Sequence, residues 1–212
     1  VGVDGVRSYT APPLLPDRSD IARRQAELWG NPRRRIAVAR RMYALRLGEV
    51  LPHRDLDTLR GIEGSRVKTL YRLTAERYRV KWNGRHYDRA DPESADIPNQ
   101  AINHAATAVQ AAAAIAVQSL AAIPQLGFIH EDSGQSFVLD IADLFRDAYT
   151  LPIAFTAARQ ALDGAPDSID RLVRREAAAV FRKQSVIPAM IDSIKTVLRM
   201  EEADAAGSSS HP

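Results

Sequence analysis

The run from Ala101 to Ile123 constrains the fold most, being built of alanine and aliphatic residues over a length that only a helix uses well. A bilayer span needs about 20 consecutive apolar residues, and Asn103, His104, Gln110 and Gln118 interrupt this one. It reads as a helix over about 98 to 122, ended by Pro124 and buried on most sides, its alanines admitting close neighbours. Helical periodicity recurs over about 19 to 29, 32 to 47 closed by Gly48, 55 to 80, 135 to 148, 151 to 162, 167 to 183 and 185 to 201. Trp82 to Tyr87 reads as a turn-rich connector and Asp91 to Pro98 as a second loop.

The two ends differ from this pattern. Residues Val1 to Tyr9 alternate and carry an Asp4-Gly5 turn signal, so they read as strands, and a lone strand pair is not stable in water. They fit the remnant of a β domain that continues upstream, followed by a Pro-rich linker from Ala11 to Pro16. Ala203 to Pro212, with its Gly-Ser-Ser-Ser, reads as a disordered tail. The expected class is therefore mainly α: residues 1–16 as remnant strands and linker, 17–202 as one helical domain, and 203–212 as tail.

Composition narrows the chemistry. The absence of cysteine excludes disulfides, thiolate metal sites and cysteine nucleophiles, so any metal must be held by His and carboxylate oxygen. No basic and apolar leader follows Val1, which makes a cytoplasmic protein, or a piece of one, the default expectation. Charge is unevenly spread. Residues 1 to 90 hold twenty Lys and Arg against ten Asp and Glu, and residues 91 to 150 hold one against eight. A basic part beside an acidic one suits a phosphate-binding surface feeding a cation site, although solvated helix faces account equally for composition alone.

The acidic part contains a feature that asks for a reason. Asp140 and Asp143 interrupt the apolar stretch Phe137-Val138-Leu139-Asp140-Ile141-Ala142-Asp143-Leu144-Phe145 at i and i+3, on one helical face. Carboxylates so placed repel and lose hydration unless a cation or a shared proton lies between them. His130 closes the nearby run Gly127-Phe128-Ile129. A third feature is Gly61-Ile62-Glu63-Gly64, one acid between two glycines inside a helical pattern. Glycine in a helix costs roughly 1 kcal/mol relative to alanine, and its use here would be close backbone approach, by another helix or by a phosphate chain. Singly, each of these has a structural explanation as a cap, a satisfied histidine or a packing glycine. Together, Glu63, His130 and the aspartates form an oxygen and imidazole set suited to Mn²⁺ or Mg²⁺, which supports phosphoryl-transfer chemistry. A nucleotide loop is not indicated, because Val67 stands where the glycine before Lys68 would have to be.

These segments, with Ser65-Arg66, Trp82-Asn83-Gly84-Arg85, Asn99-Gln100 and Ser136 to Asp143, resemble the CRISPR-associated spacer-acquisition integrase in its type I-E form. The resemblance runs from Val1 to about Met200. It implies an N-terminal β domain ahead of an all-helical catalytic domain, with Mg²⁺ or Mn²⁺ held by Glu63, His130 and Asp143, and Asp140 as a neighbour or second ligand. It further implies transesterification, in which a 3′-hydroxyl of a short duplex attacks a phosphodiester at the leader-repeat junction of a CRISPR array. The same site would act as a metal-dependent DNA endonuclease. Implied partners are DNA, a second copy of the chain as a homodimer, and the small second adaptation protein in a hetero-hexamer. Arg7, Arg60, Arg66, Arg85 and Tyr87 lie where the family contacts incoming DNA. One departure is the acidic loop Glu131-Asp132 after His130, which would either weaken DNA binding or bind a further ion. Competing readings are a general branched-DNA nuclease and a non-catalytic helical module that binds nucleic acid.

Overall fold

The computed structural model describes residues 19–50, 52, 55–86 and 95–198, and the expected strands, linker and tail lie outside them, as do Arg7 and Tyr87. Among the described residues the regular structure is helical, in the order α1 (Asp20–Gly30), α2 (Pro32–Leu47), α3 (Leu56–Arg77), α4 (Ile97–Ser119), α5 (Ser136–Leu144), a π-helical turn (Arg146–Thr150), α6 (Leu151–Leu162), α7 (Ile169–Lys183) and α8 (Val186–Leu198).

Local chemistry sets most boundaries. Asn31 caps α2 by accepting from the Arg33 and Arg34 amides ahead of Pro32, and Gly48 ends it in the left-handed region at φ 72°. Asp55, Asp96 and Ser168 cap α3, α4 and α7 through their side chains. Two helices stop short of expectation. The α3 helix ends at Arg77 rather than near residue 80, because Arg79 turns left-handed and the Arg79 and Val80 amides close back on Glu76 and Ala75. The α4 helix ends at Ser119 in the same way, through Ala121 and Ala122. These are six-to-one and five-to-two closures made without glycine.

The expected helix over 135 to 148 is instead α5 plus the π turn, in which the Phe145 carbonyl accepts from both Tyr149 and Thr150. Pro152 has no N–H for the Ala148 carbonyl, and the wider turn absorbs that break before α6 begins.

Helix α4 packs against α5, α6, α7 and α8. Its first half, with Ala101, Ile102 and Ala105, joins Tyr71, Ala75, Phe155 and Leu172 in one core cluster. Its second half, with Val109, Ala112, Ala113, Ala116 and Val117, joins Met42, Phe128, Phe137, Ile141 and Met190 in another. Ala101, Ala105, Ala112, Ala113 and Ala116 on this helix are almost fully buried, as their small size allows, whereas Ala111 is exposed. No helix among the described residues is long and apolar enough to cross a membrane.

Candidate functional site

The site is assembled from the loop ahead of α5, from α5 itself, from the π turn, and from facing residues of α2 and α3. The loop is pinned from α1. Buried Gln25 donates to the Ile123 and Leu126 carbonyls and accepts from the Ile123 amide, and the Trp29 indole N–H donates to the Gly127 carbonyl at 2.9 Å. Gly127 is required sterically, since a Cβ there would lie 2.6 Å from Ser136 Cβ and press on the His130 carbonyl.

Asp140 organises the next three residues. Its Oδ2 accepts from the Phe128 and Ile129 amides at 2.6 and 3.1 Å, and its Oδ1 accepts from the His130 amide and ring Nδ1 at 2.9 and 2.7 Å. The side chain is 0 % exposed. A carboxylate only accepts, so Nδ1 carries a proton and the neutral ring keeps its lone pair on Nε2. The Asp140 hydrogen bond raises the His130 pKa above the ordinary imidazole value, against partial burial that lowers it.

Asp143, one turn on, lines a cleft of about 690 Å³ together with Tyr43, Arg60, Glu63, His130 and Arg146. His130 Nε2 lies 4.0 Å from Asp143 Oδ2. The cation between the carboxylates is supplied by the chain. Arg46 Nη1 pairs with Glu63 Oε1 and lies 3.5 Å from Asp143 Oδ2, while Arg146 pairs with Asp143 Oδ1. Glu63, His130 and Asp143 thus share one cleft, but among the described residues no three metal-type side chains stand at distances that would hold an ion. Burial, then the charge of Glu63, pushes the Tyr43 phenol above its usual range.

Two sequence expectations change here. A Cβ at Gly61 or Gly64 would meet nothing within 4 Å, so these glycines do not serve tight helix packing; they leave the α3 surface open beside Glu63. The acidic loop is partly neutralised, since Glu131 pairs with Arg35 at 2.6 Å and the Arg35 guanidinium stands 4.8 Å over the Trp29 ring.

The expected DNA-facing arginines are spread out. Arg60 lies at the cleft and donates to the Ile129 carbonyl at 2.9 Å. Arg66 pairs with Glu49. Arg85 donates to Asn99 and Asn103 Oδ1 at 2.9 and 2.5 Å. A second cleft of about 680 Å³ runs past Gly64, Lys68, Tyr71, Trp82 and Arg85, and Arg146 borders both clefts. Of the other arginines in the basic first part, Arg34 pairs with Glu27 at the surface, and Arg41 reaches the Thr196 and Val197 carbonyls.

Sequence reasoning overlooked Arg46, Arg146 and Tyr43. Arg46 follows Ala39, Met42 and Tyr43 on the buried face of α2, and a base on an apolar stripe was the available signal. Arg146 stands three residues after Asp143, at ion-pairing distance along a helix.

Comparison with known proteins bears on this arrangement. The chain is 38% identical over 203 residues to the CRISPR-associated endonuclease Cas1 of Escherichia coli strain K12, covering 95% of this chain and 65% of that protein. It is 36% identical over 199 residues to the Geobacter sulfurreducens protein of the same name, covering 93% and 64%. The chain thus spans just under two thirds of the length of these relatives. Among solved structures, a TtCas1-DNA complex matches with a TM-score of 0.79 at 32% identity, over 87% of this chain and 67% of that one. Residues 22–167 fit the family described as CRISPR associated protein Cas1, so the chain belongs to the Cas1 family.

Proposed function

We propose that this chain forms the catalytic part of a metal-dependent DNA endonuclease and integrase, which inserts short DNA spacers into a CRISPR array by transesterification. The observation that carries the reading is the convergence of Glu63, Asp143 and the Nε2 side of His130 on one cleft in which positive charge is already required. The donor set fits a divalent cation: two carboxylates and one imidazole whose lone pair is directed by a buried acid. Glu63, His130 and Asp143 would hold Mg²⁺ or Mn²⁺, which when bound would activate a hydroxyl and offset charge on a phosphodiester. Asp140 acts through His130, fixing its tautomer and the three amides around it. Arg146, at the junction of the two clefts, is placed to offset charge on a phosphate lying between them.

The TtCas1 neighbour is a DNA complex. For this chain, Arg60, Arg66 and Arg85 would meet phosphates along α3 and the connector, and the family resemblance assigns Arg7 and Tyr87 to DNA as well. Contacts of this kind give affinity without sequence. The open surface at Gly61 and Gly64 lets a backbone approach Glu63 closely. We further assign residues 1–16 to the end of a β domain and 17–202 to the helical catalytic domain. The assembly would be a hetero-hexamer, two homodimers of the integrase bridged by a dimer of the small second adaptation protein, in the cytoplasm.

The test is strand transfer of a short duplex with 3′-hydroxyl ends into a plasmid carrying a leader and repeat. The longer protein and its partner are supplied, as wild type and His130→Ala, with Mn²⁺ or EDTA. Joined products that disappear with EDTA and with His130→Ala are expected. Cleavage without joining would leave a branched-DNA nuclease, and no metal-dependent chemistry would leave a binding module.

A further inference from the structure

Arg46 is buried more completely than its charge alone can justify. Its side chain is 4 % exposed, and although Nη1 serves Glu63 and Asp143, Nε and Nη2 are buried without hydrogen-bond partners. Unpaired donors on a buried guanidinium are costly, so this arrangement is not the best that Arg46 can reach. An acceptor is available nearby. Asp147, in the π turn, has a buried Oδ1 that is also without a partner. It borders with Arg46 a second cavity, of about 350 Å³, and the charge of Arg46 acts on its carboxyl.

We propose that Arg46 is a displaceable internal cation, which holds Glu63 and Asp143 together until a divalent ion enters and then turns its guanidinium to Asp147. The inference rests on the metal-dependent reading of the site. Without Arg46, two carboxylates would face each other across the cleft, with Arg146 paired to Asp143 and no guanidinium shared between them among the described residues. With an ion present, Arg46 Nη1 competes for the same oxygens and its charge repels the newcomer. Arg46 therefore preserves the site at the expense of ion affinity, and Asp147 restores part of that affinity by giving the guanidinium another partner. Neither residue needs to touch DNA for this role.

The experiment is Mn²⁺ titration by calorimetry, with thermal melts in EDTA and in Mn²⁺, on the whole chain as wild type, Arg46→Gln and Asp147→Asn. Arg46→Gln is expected to melt lower in EDTA, bind Mn²⁺ about tenfold more tightly, and gain more in melting temperature from Mn²⁺ than wild type does. Asp147→Asn is expected to bind Mn²⁺ more weakly. Natively folded Arg46→Gln with unchanged or weaker Mn²⁺ affinity overturns the proposal. Should Arg46→Gln fail to fold, Asp147→Asn decides, and unchanged affinity there overturns it. Wild type that binds Mn²⁺ only in a way insensitive to Glu63→Gln removes the metal reading itself, and this inference with it.

Discussion

Replacing Asp140 by Asn separates a positioning acid from a metal ligand. Each Asp140 oxygen takes two N–H groups, two from Phe128 and Ile129 and two from His130. An amide has one acceptor oxygen, and the buried Phe128 side claims it. The NH₂ group then faces the His130 amide, which loses its partner, and ring Nδ1, which must give up its proton to accept. One buried N–H left unpaired and two charge-assisted bonds reduced to neutral ones cost about 2–4 kcal/mol in all. In a chain of this size each kcal/mol moves the melting temperature by about 2–4 °C, so a fall of roughly 4–16 °C is expected in EDTA. The imidazole proton moves to Nε2, which removes the lone pair from the cleft, so Mn²⁺ affinity should fall by about 10–100-fold although no ligand is changed. Differential scanning calorimetry in EDTA and Mn²⁺ titration read the two effects separately. If Asp140 were instead a ligand sharing an ion with Asp143, removing its charge would relieve repulsion. Asp140→Asn as stable as wild type in EDTA, or more so, would refute the positioning argument.

Gly127→Ala should lose about 1–3 kcal/mol, because the new Cβ meets the Ser136 backbone carbon at 2.8 Å; an unchanged melting temperature would show that the loop yields freely. His130 has a raised pKa in the fold, so its contribution to stability is complete below the ordinary imidazole value and fades as pH rises through the raised one. In EDTA, the stability gap between wild type and His130→Asn should therefore be wider near about pH 5.5 than near about pH 9, and a gap that widens with pH contradicts the assignment. Arg85→Ala should weaken duplex binding alike across sequences and reduce the salt slope by about one. A circular dichroism control is needed because Arg85 also ties the connector to Asn99, and binding unchanged at low and high salt would take Arg85 off the DNA path.

Helix positions were legible where a residue type forces the boundary. Asn31-Pro32 and Gly48 delimit α2 as their backbone preferences require, and the alanine run places α4 at the centre of the packing. The misses share one cause. Arg79 and Ala121 enter the left-handed region to close α3 and α4, and neither residue type advertises that conformation. The π turn was visible only as Pro152, which signals a break without saying that the chain will widen its turn rather than stop the helix.

The site divides along the same line. Glu63, His130 and the two aspartates were identifiable as an oxygen and imidazole set, and the structure brings Glu63, His130 and Asp143 to one cleft. The spacing of Asp140 and Asp143 correctly put two acids on one face, but spacing carries no information about depth. One sits 0 % exposed and is used up by four N–H groups, while the other is 20 % exposed and faces cations. A cation or shared proton was expected between Asp140 and Asp143; instead N–H groups satisfy Asp140, and the Arg46 guanidinium stands between Glu63 and Asp143. Twenty basic residues in the first ninety hid the one that pairs with Glu63 and Asp143. Arg46 follows the buried stripe of Ala39, Met42 and Tyr43, and at 4 % exposure its guanidinium is turned toward acids. A base on the buried face of a helix, in a chain with unexplained paired carboxylates elsewhere, is thus best read as their counter-ion before a metal is invoked, and the metal's affinity then has to be argued against it.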